Sequence, residues 1–115
     1  MASRRKEQQE DAKLRVMQII NQNPEITSRK IAQKIGISNG SAYYLLMSLI
    51  DKGFVKFKNF KKNSQKSRYC YILTTKGIRE KSLITQKFLV RKRQEHKLLK
   101  EEIIKLERTE GLNIK

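Results

Sequence analysis

The chain holds one cysteine, one histidine and one proline, and it has no tryptophan. Cys70 alone forms no internal disulfide, so nothing in the sequence asks for an oxidising compartment. His96 alone supplies no metal site, and without clustered carboxylates there is no acid–base pair to assemble. The expectation is therefore a protein that is not an enzyme and carries no cofactor or metal. Acids are scarce as well: 11 Asp and Glu stand against 27 Lys and Arg, a formal charge of +16. A field of that sign draws polyanions, nucleic acid first and an anionic membrane second. No apolar run approaches the roughly 20 residues that cross a bilayer. The opening stretch MASRRKEQQEDAK lacks the apolar core of a signal peptide, so a cytoplasmic protein is expected. A length of 115 residues fits one domain, or one domain with an extension.

What is present centres on Thr27 to Gly53. Thr27 is placed to cap a first short helix with an inner face of Ile31, Ala32 and Ile35, which Gly36 ends. Ser38 caps the next helix, which buries Ala42, Leu45, Leu46 and Leu49 at helical spacing before Gly53 stops it. Two helices that cross closely need a small side chain at the crossing, here Ala32, and a residue free to take positive φ in the turn, here Gly36. That pattern is the one of a DNA-binding helix-turn-helix, with 38–52 as the recognition helix.

Upstream, residues 1–8 have no core-forming side chains and read as a flexible basic tail with Arg4, Arg5 and Lys6 available to phosphate. From about Gln9 to Asn21 a helix with a broad apolar face is expected, closed by Asn23-Pro24. After Gly53 the period changes. Phe54 to Phe60 and Tyr69 to Leu73 read as strands on either side of a flexible basic loop, 61–68. From Lys52 through Arg68 there are seven basic residues and no acid, the densest positive feature of the chain. Thr74 or Thr75 then caps a final helix that nothing interrupts before Gly111. A seven-residue phase along it joins Leu89, Lys92, His96, Leu99, Ile103 and Leu106, an imperfect seam for a partner helix. The expected division is thus a tail at 1–8, a DNA-binding domain at 9–75, a dimerising helix at 76–110 and a tail at 111–115. The fold class is mainly α (α+β), a winged helix-turn-helix with a two-stranded β wing and a long C-terminal helix.

Two stretches, IAQKIGISNGSAYYLLMSLIDKGFVK at Ile31–Lys56 and YILTTKGIREKSLITQKFLVRK at Tyr71–Lys92, carry a family likeness. In these the sequence resembles the MarR-type winged-helix regulators, and in length it is similar to the small subfamily associated with exopolysaccharide (EPS) gene clusters. The resemblance implies a bacterial, nucleoid-associated regulator acting on such genes. It departs from the family at Tyr44, where an arginine is usual, in lacking an Asp-Arg pair in the wing, and in having one helix after the wing instead of two.

With Ala42, Leu45, Leu46 and Leu49 turned inward, Gly40, Tyr44 and Met47 fall on the opposite face of the recognition helix, flanked by Asn39, Ser41, Tyr43 and Ser48. These seven are the candidate base contacts in the major groove. None is Lys or Arg, so base reading is expected to be weak or A·T-leaning. Phosphate contacts are expected from Thr27, Ser28, Arg29, Lys30 and Ser38, and from Lys58, Lys61, Lys62, Lys66 and Arg68 in the wing, 58–68, on the backbone or in the minor groove. Leu89, His96, Leu99, Ile103 and Leu106 are the candidate dimer contacts. The partners expected are double-stranded DNA and a second copy, with no membrane. Two other functions fit the charge: a nonspecific architectural nucleic-acid binder, and an adaptor whose basic helix docks on an acidic protein.

Overall fold

The structure, a computed structural model, describes residues 2–63 and 66–111, with side chains described over 5–59 and 69–111. It divides into two compact units, Met1–Ile84 and Thr85–Lys115. The first holds α1 (Ala2–Gln22), α2 (Ser28–Ile35), α3 (Asn39–Asp51), an antiparallel pair β1 (Val55–Asn63) and β2 (Lys66–Leu73), and the start of α4 (Thr75–Thr109). The second holds the remainder of α4.

α1 begins at Ala2, not near Gln9, which corrects the expected tail. Arg5 to Gln9 are all exposed, so packing does not hold them in the helix. Arg, Lys, Glu and Gln are strong helix formers, and an established helix extends through them without an apolar face. From Leu14 onward the helix is anchored: Leu14, Val16, Met17 and Ile20 are buried. Pro24 ends it, and its carbonyl accepts a hydrogen bond from the Tyr71 amide at 2.8 Å, so the loop runs along the free edge of β2.

α2 and α3 form as their end signals dictate. Thr27 Oγ1 accepts from the Lys30 amide at 3.2 Å, and Ser38 Oγ accepts from the Ser41 amide at 3.1 Å. Ala32 is buried at the crossing, and Gly36 takes φ +81° with its amide on the Ala32 carbonyl at 2.8 Å. An L side chain at that φ is strained. Gly36→Ala is expected to cost about 1 kcal/mol and to lower the thermal midpoint by about 5 °C in a melt followed by circular dichroism. Leu45, expected in the core, is only half-buried, because it lines a cleft between α3 and α1.

The hairpin is longer than its composition suggests. The ladder runs from Val55↔Leu73 to Asn63↔Lys66, with an irregularity at Lys61/Asn63. Residues 61–63 and 66–68, expected in a flexible loop, thus belong to the strands, and residues 64–65 lie outside the described residues. Backbone pairing is indifferent to side-chain charge, so the lysine-rich segments continue the ladder that Val55 and Leu73 anchor in the core. At the far end Thr74 is the cap of α4. Its hydroxyl donates to the Gly53 carbonyl at 2.6 Å and accepts from the Gly77 amide at 2.9 Å. Lys13 pairs with Glu80 at 2.6 Å and lies 4.6 Å from the Phe54 ring centroid, with Lys76 at 5.2 Å from the same ring.

Candidate nucleic-acid interface

α3 is amphipathic, and its outer side is open. Ala42, Leu46 and Leu49 are buried, whereas Asn39, Gly40 and Ser41 are exposed, Tyr43 is 57% exposed and Tyr44 76% exposed. Met47 and Ser48 are half-buried at the edges of the open face. The backbone around its start is fixed by the Ser38 cap, and the Ser38 and Ser41 hydroxyls bond each other at 2.8 Å. No charged residue lies among Asn39–Ile50, so this face offers amide, hydroxyl, aromatic and thioether groups only.

Cations lie on the elements before and after it in the chain. Arg29 and Lys30 are exposed on the first turn of α2, beside exposed Thr27 and half-buried Ser28. Lys56 and Lys58 are exposed on the stem of the wing. The side chains of Lys61, Lys62, Lys66 and Arg68 lie outside the described ones; their backbones belong to β1 and β2. The early turns of α1 border the face too. Arg5 and Lys6 line a cleft of about 760 Å³ together with Gly40, Ser41, Tyr44 and Ser48. Tyr44 nevertheless remains mostly in solvent, so α1 flanks the face and does not plug it.

A second feature escapes the sequence reading. In the β1–β2 register Phe57 opposes Tyr71 and Asn59 opposes Tyr69, which gathers three aromatic rings on one face of the hairpin. Phe57 and Tyr69 stack with centroids 5.2 Å apart and planes 17° apart; Phe57 and Tyr71 are 5.3 Å apart and tilted by 47°. Burial, and after it the neighbouring Tyr43, push the Tyr71 hydroxyl above the usual tyrosine value. It therefore stays a neutral donor through the physiological range. The signal that finds this face is the period of two within Tyr69-Cys70-Tyr71, once it is paired against Phe57. The intervening Cys70 is buried and its thiol free. Cys70→Ser is expected to leave the response of DNA binding to oxidant unchanged, as read by gel shift with and without hydrogen peroxide.

The second unit presents a different surface. Leu89, Leu99, Ile103 and Leu106 are exposed, as is His96 between them. Lys92, in the same phase, bonds Glu95 at 3.2 Å and lies 5.4 Å from the Phe88 ring centroid. Leu98 and Ile104 are exposed as well, leaving about half of each of these aliphatic side chains in water.

An outward helix with its predecessor crossing behind it, followed directly by a basic hairpin, has a counterpart among known domains. The family described as winged helix-turn-helix DNA-binding matches residues 9–56. This chain has the winged helix-turn-helix fold. A solved Streptococcus mutans protein, smu.1704, superposes with a TM-score of 0.68 at 18% identity, over 80% of this chain and 89% of that one. A PadR-like transcriptional regulator from Bacillus cereus gives 0.65 at 19% identity, over 76% and 89%. A MepR variant from Staphylococcus aureus, solved bound to an oligodeoxyribonucleotide, gives 0.59 at 18% identity, over 88% and 77%. At such identities the likeness is one of winged helix-turn-helix architecture. No curated protein matches the sequence. Among the described residues no helix is long and apolar enough to cross a membrane.

Proposed function

We propose that the protein is a transcriptional regulator of the MarR/PadR type that binds operator DNA as a homodimer. The observation that carries this reading is the open, uncharged face of α3, which includes Tyr44 and lies in the chain between exposed cations of α2 and the basic hairpin that follows. A major groove admits one helix, and a side chain left in water on that helix is free to meet base edges. Asn39 is suited to adenine; Gly40 permits close backbone approach; Tyr43, Tyr44 and Met47 offer apolar contact to thymine methyls, and Ser41 and Ser48 offer hydroxyls. Thr27, Ser28, Arg29, Lys30 and Ser38 would hold one phosphate run, and Lys58, Lys61, Lys62, Lys66 and Arg68 another. Support comes from the solved winged-helix neighbours, of which one MepR variant and a Streptococcus pneumoniae FabT are complexes with DNA.

A second copy is the reading for Leu89, His96, Leu99, Ile103 and Leu106. Exposed aliphatic residues repeating at heptad spacing are stabilised by a partner helix of the same kind. Twofold symmetry then sets two copies of α3 about one helical turn of DNA apart, on an imperfect inverted repeat. The sequence resemblance over Ile31–Lys56 and Tyr71–Lys92 supports exopolysaccharide-type genes as the targets, which the neighbouring genes test directly.

One observation favours the nonspecific alternative: α3 offers guanine no cation. Genomic footprinting with the full chain separates the two readings. A regulator protects a limited set of symmetric sites and keeps them in excess unrelated duplex; an architectural binder loses all protection under that competition. Truncation at about Lys92 tests the adaptor reading, since an adaptor loses its function there while the first unit still binds DNA.

A further inference from the structure

We propose that the cleft between the start of α2 and the stem of the wing seats one sugar–phosphate step of the duplex, with Tyr69 and Phe57 as its platform. The proposal rests on the DNA-binding reading above and adds residues to it. Thr27, Ser28, Phe57, Tyr69 and Tyr71 line this cleft, of about 440 Å³, together with Glu25 and Ile26.

Three features point to a nucleic-acid backbone as the occupant. The first is aromatic surface left in water on an otherwise lysine-rich strand pair: Phe57 is 46% exposed and Tyr69 54% exposed. Their stacked geometry is already fixed, so little side-chain entropy is lost when a deoxyribose packs on them. The second is the donor set. The Ser28 and Arg29 amides that open α2 have no acceptor within the helix, the Lys30 amide being taken by Thr27 Oγ1, and the hydroxyl-bearing residues Ser28, Tyr69 and Tyr71 line the same cleft. Tyr71, pushed upward by burial, remains a donor at neutral pH. The third is continuity along α2, since Arg29 and Lys30 directly follow Ser28 and are exposed, whereas Lys56 and Lys58 alternate with Phe57 and stand on the other face of β1. Glu25 on the wall disfavours a diffusible anion. A phosphate held there by a duplex that the cations of α2 and the wing already grip overcomes that repulsion; free phosphate does not.

Hydroxyls and rings contribute without releasing counterions, and this gives the proposal its signature. Tyr69→Phe removes one neutral hydrogen bond and keeps the stack; it is expected to weaken DNA binding about fivefold. Tyr69→Ala removes the platform and is expected to weaken binding about tenfold or more. In both, the slope of log Kd against log salt stays at the wild-type value, whereas Lys58→Ala lowers its magnitude by about 1. Specific and unrelated duplexes are affected equally, because the backbone carries no sequence. Tyr69→Phe melts with the wild-type midpoint, which removes misfolding as the cause. The measurement is fluorescence anisotropy of a labelled duplex with the full-length chain at several salt concentrations, repeated with inorganic phosphate at constant ionic strength. Wild-type Kd in both Tyr69 variants overturns the proposal, as does a changed salt slope or competition by inorganic phosphate. A wild-type chain that shows no duplex binding at all overturns the DNA reading itself, and this one with it.

Discussion

Gly77→Ala is expected to cost the first unit about 3 kcal/mol and roughly 15 °C in thermal midpoint. The first turn of α4 lies directly on the backbone of Phe54. A Cβ at position 77 would fall inside the contact distance of the Phe54 carbonyl oxygen, 2.8 Å from its carbon and 3.2 Å from its Cα. That carbonyl is not free to move, because it accepts the Thr74 amide at 3.0 Å, and Thr74 in turn caps α4 and bonds the Gly53 carbonyl. The Phe54 ring is held too, with Lys13 and Lys76 both near it. Relief requires α4 to lift from β1, which opens the core around Phe54, Val55 and Leu73. Calorimetry on the variant measures the loss, and Gly40→Ala is the internal control. A Cβ at Gly40 meets nothing within 4 Å, and the residue is in a helix, so that change is expected to stabilise by about 0.5–1 kcal/mol.

Raising the salt from 50 to 200 mM is expected to weaken DNA binding by about ten-thousand-fold. With about eight phosphates neutralised per bound unit, log affinity falls against log salt with a slope near −7. The cations in question are Arg29 and Lys30 on α2 and the lysines and arginine of the wing, joined by Lys56, which is exposed on its stem. α3 carries no cation, so almost none of the salt-dependent affinity comes from the helix proposed to read the bases. Two measurements follow. Anisotropy titrations across that salt range give the slope, and a slope near zero contradicts the interface. Combined Lys61→Ala and Lys62→Ala should reduce its magnitude by about 2 on any duplex, while Tyr44→Ala should leave the slope alone and alter the preference among duplexes.

The helix-turn-helix is legible in the sequence because its signals are local. Thr27 and Ser38 cap the helices that follow them, Gly36 supplies positive φ, and Ala32 fits the crossing. Each acts within a turn of its own position, so reading along the chain finds it. The outward placement of Gly40 and Tyr44 follows by rotation from Ala42 and Leu46 for the same reason. What is not legible depends on backbone bonding or on distant partners. The start of α1 is set by the propensity of solvated residues that no apolar pattern marks. The reach of β1 and β2 is set by ladder hydrogen bonds that lysines neither favour nor forbid. Leu45 looks inward by spacing, yet its neighbour across the helix is the wall of a cleft shared with α1. The aromatic face of the wing emerges only when the register sets Phe57 against Tyr71.

Because Asn39, Gly40, Tyr43 and Tyr44 lie outside the core, substitutions among them leave the packing of Leu46 and Leu49 untouched. On the proposed reading, the residues that meet bases and those that fill the core are thus separate side chains of one thirteen-residue helix. A library randomised at those four positions should yield mostly folded proteins, which makes the domain suited to retargeting toward new duplex sequences.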